Sequence, residues 1–314
     1  MAHVLGIDIG GTSIKAGLFA EGGRLLDVRQ IPTGSLVCAE AFAGVVTGLR
    51  ELCSVNDVDE GDVRAVGLDV PGPVDDQGRV GMLPNIELDP DGLQDAIVSH
   101  FSGAALAFVN DANAAALGEL WQGSAKGVGS FVLVTLGTGV GGGVVAGGHL
   151  VSGASGAAGE IGHVTVNPEE ERTCGCGRKG CLEQYASATG IVRLYRQELA
   201  RRGIEGARVR HDTDTLTVFE AARAGDEAAV RAIDSMCDYL GFALAQISCV
   251  IDPEVFLIGG GVAGGFEQFS VRLSSAFRAR CLASCASTRI LPCSLGNKAG
   301  MYGVAFAALQ KTGE

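Results

Sequence analysis

The chain has 314 residues, of which 47% are hydrophobic, and its formal net charge is −12 at pH 7. A chain of this length exceeds one typical hydrophobic core, so we expect two lobes. The negative charge and the absence of a basic run disfavour nucleic acid and anionic membranes as partners, because both bind proteins through positive surfaces. The negative net charge still allows an anionic ligand to bind, provided that backbone N–H groups and a metal ion hold it.

The N-terminal sequence MAHVLGIDIGG soon reaches an aspartate and a glycine turn, which is not the pattern of a signal peptide. The uncharged stretch 127–148 is long enough to span a bilayer, but nine of its residues are glycine. We therefore expect two buried strands around a turn there. Ten cysteines without a secretory context indicate a cytoplasmic location, where clustered cysteines bind metal more often than they form disulfides.

Short apolar segments between glycine turns dominate the first part of the chain and predict strands. They are HVLGIDIGG, SIKAGLFA, RLLDVRQI, AVGLDV and ALAFVND. Apolar residues at helical spacing predict two helices between and after these strands, at EAFAGVVTGLRELC and ANAAALGELW.

The segment GSFVLVTLGTGVGGGVVAGGHLV then repeats the opening plan of strand, glycine turn and strand. After Tyr185 the chain is expected to be mainly helical, with long helices near 186–201 and 216–250. The second of these ends at Asp252-Pro253, because proline cannot continue a helix. A last strand is expected in EVFLIGGGVA and a closing helix in KAGMYGVAFAALQ.

The repeated plan predicts two related α/β lobes whose glycine turns face one cleft. We expect the boundary near the start of the alanine-rich helix, with the closing helix returning to the first lobe. The small lobe is then 1–112 plus 299–314, and the large lobe is 113–298.

The first glycine turn places Asp8, Gly10, Gly11 and Thr12 at the end of a strand. Glycines there allow positive φ and let a phosphate approach the main chain. Because a carboxylate repels a phosphate, Asp8 implies a bridging Mg²⁺. The alternative is a hairpin in which Asp and Gly only form the turn.

The second glycine turn is its counterpart and contains Gly137, Thr138, Gly139 and Gly142. Three of these glycines match GxGxxG, but the dinucleotide-binding motif requires a helix to follow, and VVAGG predicts a strand. We therefore reject a Rossmann site, and no P-loop motif occurs.

A third glycine cluster, Gly259, Gly260 and Gly261, ends a strand of the second lobe. Flat glycine backbone at such a position suits an adenine or ribose. A tight turn between strand and helix is the alternative.

Asn110 and Asp111 stand where an apolar strand meets the alanine-rich helix. Asp111 fits a general base that accepts a hydroxyl proton during phosphoryl transfer, and Asn110 would hold neighbouring hydroxyls. The alternative is a purely structural N-cap, for which aspartate is a preferred residue.

One imidazole and three thiols, from His163, Cys174, Cys176 and Cys181, have the spacing of a closed tetrahedral Zn²⁺ site. Four protein ligands leave no open position, so the zinc is expected to be structural rather than catalytic. A reduced loop with a reactive CxC pair is the alternative, but it would not explain His163 or the glycines between the cysteines.

Taken together, these motifs resemble the ROK family of bacterial sugar kinases, in the family's order and over residues 8 to 306. The motifs that carry the resemblance are DIGGT, NDANAAALGE, LGTGVGGG, EIGH, CGCGRKGCLE and LGNKAGMYGVA. The stretch CGCGRKGCLEQYASATGIVR is most similar to the glucokinases of the family.

The resemblance implies an α/β, actin-like (duplicated ribonuclease H-like) two-lobe fold with an interlobe cleft. It also implies transfer of the γ-phosphate of Mg-ATP to a hexose hydroxyl, commonly the 6-hydroxyl, with Asp111 as base and Lys15 helping to hold the phosphoryl oxygens. The adenine would lie near Gly259–Gly261. The implied sugar-binding residues are Gly72, Asn85, Asn110, Glu160, His163 and Glu183, and homodimers or homotetramers are common in the family.

Several alternatives stay open within this resemblance. After LPNI the chain has ELDPDGLQ, where many family glucokinases have a Pro-Gly-Trp-like stretch, so N-acetylmannosamine, N-acetylglucosamine or another hexose competes with glucose. Polyphosphate competes with ATP as the donor. A sugar-sensing transcriptional regulator of the same family is disfavoured, because Asp8 leaves no room for a preceding helix-turn-helix domain.

Overall fold

The computed structural model describes residues 2–10, 13–83, 86–204 and 213–313. The packing divides the chain into two compact units. Unit 1 comprises Met1–Gly127, His149–Ala158 and Ser294–Glu314, and unit 2 comprises Val128–Gly148 and Gly159–Cys293. The sequence placed the boundary at residue 112, whereas the packing keeps the whole alanine-rich helix in unit 1, because that helix lies along the closing helix.

The elements are numbered in chain order. The strands are β1 (His3–Ile9), β2 (Ser13–Ala20), β3 (Leu25–Pro32), β4 (Val63–Val70), β5 (Ala105–Asn110), β6 (Phe131–Leu136), β7 (Val140–Ala146), β8 (His149–Leu150), β9 (Val255–Gly259) and β10 (Arg289–Pro292). The α-helices are α1 (Ala39–Val55), α2 (Pro90–His100), α3 (Asp111–Gln122), α4 (Glu183–Ala186), α5 (Ala188–Arg201), α6 (Thr215–Arg223), α7 (Glu227–Ile251), α8 (Phe266–Arg278) and α9 (Ala299–Gln310).

Each unit contains a mixed sheet, and the two sheets follow one plan. In unit 1 the order is β3-β2-β1-β4-β5, with β1 antiparallel to β2 and parallel to β4. In unit 2 the order β10-β9-β6-β7 has β6 antiparallel to β7 and parallel to β9. The repeated topology confirms the predicted α/β class and the actin-like, duplicated architecture.

Helix α9 packs directly on the backbone of the unit 1 sheet. A Cβ atom at Gly67 of β4 would lie 1.9 Å from the carbonyl oxygen of Val304, and one at Gly303 would lie 1.6 Å from that of Ala114 in α3. Side chains at either position would push the helix away from its neighbours. These glycines therefore fix the helix close to the strands whose ends carry the candidate site.

The helical region of unit 2 differs from its prediction in one respect. The helix expected over 216–250 is two helices, α6 and α7, because Gly225 adopts a φ of 87° and Asp226 caps the next helix. The Asp226 carboxylate accepts hydrogen bonds from the N–H groups of Ala228 and Ala229. The predicted end at Asp252 is confirmed, since this residue has a φ of 48°.

The uncharged stretch 127–148 forms β6, β7 and the turn between them, as the sequence predicts. Over the described part of the chain, none of the helices has the combined length and apolarity that crossing a bilayer requires.

Candidate active site and metal centre

The first glycine turn joins β1 to β2 in unit 1. Asp8 and Lys15 are direct partners in the antiparallel register, and Lys15 Nζ lies 3.6 Å from Asp8 Oδ2. The turn closes through Gly10, whose N–H donates to the Ser13 carbonyl and whose carbonyl accepts from the Thr33 hydroxyl. The predicted phosphate-binding residues Gly11 and Thr12 lie outside the described residues.

A second carboxyl group, Asp69, was missed by the sequence analysis. It pairs with Asp8 in the parallel register of β1 and β4, it is 1% exposed, and its Oδ1 accepts a hydrogen bond of 3.0 Å from the Ile9 N–H. Burial raises the pKa of Asp69 well above its usual range, and the charges of Asp8 and Asp111 add to the shift. Burial also raises the pKa of Asp8, against the opposing charge of Lys15. Two carboxyl groups, one on β1 and one on β4, therefore lie near one ammonium group at this end of the sheet.

One signal could have revealed Asp69. An acidic residue interrupts an otherwise apolar strand, AVGLDV, immediately before its turn, as Asp8 does in HVLGIDI. The carboxyl ends of neighbouring parallel strands meet at one edge of a sheet, so two such aspartates are expected to be close once the strands are paired.

At the end of β5, the structure separates the roles of Asn110 and Asp111. Asn110 is the N-cap of α3, because its Oδ1 accepts from the N–H groups of Ala112 and Asn113, while its Nδ2 donates to the Gly72 carbonyl at 3.0 Å. Asp111, which the alternative interpretation made the cap, is instead the exposed first residue of the helix. Its Oδ1 also accepts a hydrogen bond of 2.8 Å from the Ala112 N–H, so both side chains contact the N-terminus of α3. The structure brings Gly72 next to Asn110, while Asn85 lies outside the described residues.

The second glycine turn joins β6 to β7 in unit 2. It is closed by a hydrogen bond of 2.9 Å from the Gly137 N–H to the Gly139 carbonyl. A strand follows the turn, which confirms the rejection of a dinucleotide-binding motif. Glu183 accepts a hydrogen bond of 3.1 Å from the Val140 N–H, and a Cβ at Gly139 would lie 2.4 Å from the same carboxylate. The turn is thereby attached to a predicted sugar-binding residue.

The remaining predicted glycines of unit 2 have packing roles that the structure shows directly. A Cβ at Gly142 would lie 2.4 Å from Ile161, immediately after Glu160. Gly260, at the end of β9, has a φ of 80° and a Cβ there would lie 2.4 Å from the Leu136 carbonyl oxygen. Gly259 to Gly261 therefore lie beside β6, at the strand end that leads into the second glycine turn.

The predicted metal ligands converge in unit 2. The ligand atoms of His163, Cys174, Cys176 and Cys181 all lie within 4.8 Å of one another. The sulfurs of Cys176 and Cys181 are 3.7 Å apart, and His163 Nδ1 lies 4.0 Å from the Cys174 sulfur. A tetrahedral Zn²⁺ with bonds to sulfur of about 2.3 Å separates two sulfurs by about 3.8 Å. The donor set and its spacing therefore fit zinc.

The thiols of the cluster differ in acidity. Burial and the hydrogen bonds that Cys181 donates to Cys176 and Cys174 raise the pKa of the Cys181 thiol to about 12, whereas the backbone hydrogen bond from Arg178 holds the pKa of Cys176 below its usual range. A bound cation displaces the thiol protons, so zinc affinity is expected to rise with pH.

Two glutamates flank the cluster. Glu183 Oε1 lies 3.7 Å from the Cys174 sulfur, and Glu160 Oε2 lies 3.9 Å from Nε2 of His163. The ring of His163 thus turns Nδ1 toward the thiols and Nε2 toward Glu160. Within unit 2 the structure brings together the metal cluster, both predicted sugar-binding glutamates and, through Glu183, the second glycine turn.

Known proteins are similar to this chain over nearly its whole length. A model of the ROK family matches residues 4–311. The chain is 37% identical over 312 residues to the glucokinase of Halalkalibacterium halodurans, with 95% of this chain and 92% of that protein covered. It is 32% identical over 294 residues to the N-acetylmannosamine kinase of Shigella flexneri, with 90% and 92% covered.

A solved structure with a similar fold carries two ligands. It is the crystal structure of a ROK family glucokinase from Streptomyces griseus in complex with glucose and AMPPNP. Its TM-score with this protein is 0.78 and its sequence identity is 33%. The match covers 98% of this chain and 100% of that chain.

Proposed function

The chain belongs to the ROK family, and from this premise we propose that it is a glucokinase that transfers the γ-phosphate of ATP to the 6-hydroxyl of glucose. Several relatives that are similar over most of the chain are glucokinases, and one of them has been crystallised with glucose and an ATP analogue.

The observation that carries the proposal is the shared carboxylate of Glu183. One of its oxygens accepts from the N–H of Val140, which follows the second glycine turn, and the other lies beside Cys174 of the metal cluster. A single side chain thus links a turn suited to phosphate with a loop suited to hydroxyl groups. Transfer of a phosphoryl group to a sugar requires the donor and the acceptor to be held close together, which such a link favours.

We assign the proton transfer to Asp111. Its carboxylate is exposed at the start of α3, while the neighbouring Asn110 performs the capping. One of its oxygens accepts from the Ala112 N–H, and an exposed carboxylate oriented in this way suits a general base for the attacking hydroxyl. The Asn110 side chain is held by Gly72 and by the helix N-terminus, so it offers a fixed amide beside the base.

Donor binding is assigned to the three glycine turns: Gly10 to Thr12, Gly137 to Gly142, and Gly259 to Gly261. Asp8 is the carboxylate that would hold Mg²⁺, which proteins usually bind through one or two carboxylates together with phosphate oxygens. Lys15, within 3.6 Å of Asp8, would contact the phosphoryl oxygens that carry the developing negative charge.

Sugar binding is assigned to Gly72, Asn85, Asn110, Glu160, His163 and Glu183. The zinc ion would supply rigidity by cross-linking the loop that carries the last three of these residues. Glu160 and Glu183 offer carboxylate oxygens to hydroxyl groups, and the Nε2 side of His163 offers a donor or acceptor. A cytoplasmic location and a homodimeric or homotetrameric assembly are further parts of the proposal that rest on the family.

The experiment that tests the proposed reaction measures ADP release in a coupled assay, with ATP and either glucose or 6-deoxyglucose. We expect turnover with glucose and none above background with 6-deoxyglucose, because the latter lacks the acceptor hydroxyl. N-acetylmannosamine and N-acetylglucosamine are assayed in parallel, since kinases for both sugars are among the relatives. If either of them gave a higher kcat/KM than glucose, that sugar rather than glucose would be the preferred substrate.

A further inference from the structure

Unit 2 contains a cavity of about 320 Å³ between the metal-binding loop and α5. Arg172 and Thr173 line it from the loop, and Arg193 and Arg196 line it from the helix. Thr138 of the second glycine turn and Glu183 also line it. Sites for small molecules begin at about 300 Å³, so the cavity exceeds what an inorganic ion alone would fill.

The charge of this cavity is opposite to that of the chain. Its lining includes three guanidinium groups and one carboxylate, that of Glu183, in a protein with 24 basic and 36 acidic residues. The Glu183 carboxylate is already engaged by the Val140 N–H. Once the Glu170 carboxylate that pairs with Arg193 is counted, an excess of one positive charge remains, and it favours a phosphate over a neutral ligand.

The three arginines differ in how firmly they are held. Arg193 is largely buried, because it donates to the Gln184 carbonyl at 2.6 Å, pairs with Glu170 at 3.7 Å and stacks over the Tyr185 ring. The guanidinium groups of Arg172 and Arg196 are exposed and form no hydrogen bond or ion pair with a described residue. One largely buried guanidinium group and two exposed ones therefore border the same space.

We propose that this cavity binds the phosphate group of a small phosphorylated metabolite, with Arg172 and Arg196 as its main contacts. Guanidinium groups bind phosphate oxygens in a bidentate manner, and the hydroxyl groups of Thr138 and Thr173 add donors. The rest of the cavity accommodates a body of sugar size. The cavity shares Thr138 and Glu183 with the proposed donor and sugar sites, and in that respect the proposal rests on the proposed function.

Isothermal titration calorimetry of the full-length chain tests the proposal. The probes are glucose 6-phosphate, inorganic phosphate and Mg-ATP, each titrated in saturating glucose so that the proposed sugar site is occupied. The variants are Arg172→Ala and Arg196→Ala, and Arg278→Ala is the matched control, because it removes an exposed arginine from α8 of the same unit. Metal content and ADP release at saturating substrates are measured in every variant.

We expect glucose 6-phosphate to bind the wild type and the control equally, and each cavity variant about tenfold more weakly, as the loss of one charge-assisted hydrogen bond predicts. Metal content and turnover at saturation should stay unchanged. If inorganic phosphate shows the same dependence and equal affinity, the phosphate group alone is the ligand. Equal glucose 6-phosphate affinity in all variants would overturn the proposal, as would a parallel loss of Mg-ATP affinity, which would make the cavity part of the donor site.

Discussion

Among single residues, Asp69 adds most to what the motifs imply about the site. It is buried and is the register partner of Asp8 in the pairing of β1 with β4, so two carboxyl groups lie near one lysine. A buried carboxylate without a full counter-charge favours its protonated form. We therefore expect the stability of unit 1 to depend on the protonation of Asp69.

Replacing Asp69 with asparagine tests this dependence. The raised pKa of Asp69 means that the folded protein binds this proton more tightly than the unfolded chain, so the wild type loses stability as pH rises from about 4 through the folded pKa. The amide that replaces the carboxyl group would keep an acceptor for the Ile9 N–H but would carry no charge. The free energy of unfolding of Asp69→Asn, relative to wild type, should rise between pH 5 and pH 8 in urea denaturation.

The exposed Asp95 of α2 provides the control, because Asp95→Asn removes a charge without a burial cost. A stability difference for Asp69→Asn that stays constant over this pH range would show that Asp69 is ionised in both states.

Among elements, the loop that carries the metal cluster connects structure with the proposed substrate binding. Glu160 contacts His163 and Glu183 contacts Cys174, so the four ligands of the cluster hold both glutamates in position. Cys176→Ala should abolish stoichiometric zinc and weaken glucose binding by about tenfold, because misplaced groups lose their hydrogen bonds. ATP binding should persist.

Elemental analysis and calorimetric titration with glucose and ATP measure these effects. Cys249→Ala, which removes an exposed thiol from α7 of the same unit, should change neither zinc content nor glucose affinity. A wild-type protein without zinc, or a Cys176→Ala variant with normal glucose affinity, would contradict this role of the loop.

Helix α3 is anchored at its C-terminal end by Glu119, which is fully buried. Its carboxylate accepts hydrogen bonds from the N–H groups of Ser124, Ser294 and Leu295 and from the Ser294 hydroxyl. Glu119→Ala leaves these donors unsatisfied and should lower the free energy of unfolding by about 3 kcal/mol, measured by urea denaturation. Glu119→Gln retains one acceptor oxygen and should lower the free energy of unfolding by less. Equal decreases in the two variants would show that cavity formation, and not the loss of hydrogen bonds, dominates the effect.

The sequence predicted most elements because their signals are local. Apolar runs between glycine turns specify β1, β2 and β6, and the DP pair marks the end of α7. The break between α6 and α7 was missed, because alanine-rich helical spacing continues on both sides of Gly225. A single glycine is tolerated inside many helices, so only its conformation reveals the break.

The candidate site was predicted where chemistry lies within one motif, as in the four metal ligands. Its remaining features depend on which strands and helices become neighbours. The partnership of Asp69 with Asp8 requires the pairing of β1 with β4, and the cavity with Arg172 and Arg196 requires the loop to pack near α5. Spacing along the chain carries no information about such contacts.

At the scale of the whole molecule, the residues to which the proposed reaction is assigned belong to two units with one topology. Unit 1 supplies the exposed Asp111 together with Asp8 and Lys15, and unit 2 supplies the second glycine turn and the loop with the metal cluster. The proposed phosphoryl transfer draws on residues of both. Its central claim is that Asp111 accepts the proton of the glucose hydroxyl.

The most direct test compares glucose-dependent ADP release by the wild type and by Asp111→Asn at saturating glucose and ATP. We predict that kcat falls by about 10²-fold to 10⁴-fold, the usual contribution of a general base, while the melting temperature and glucose affinity stay close to wild type. Turnover by a folded Asp111→Asn protein at a rate near that of the wild type would contradict the account.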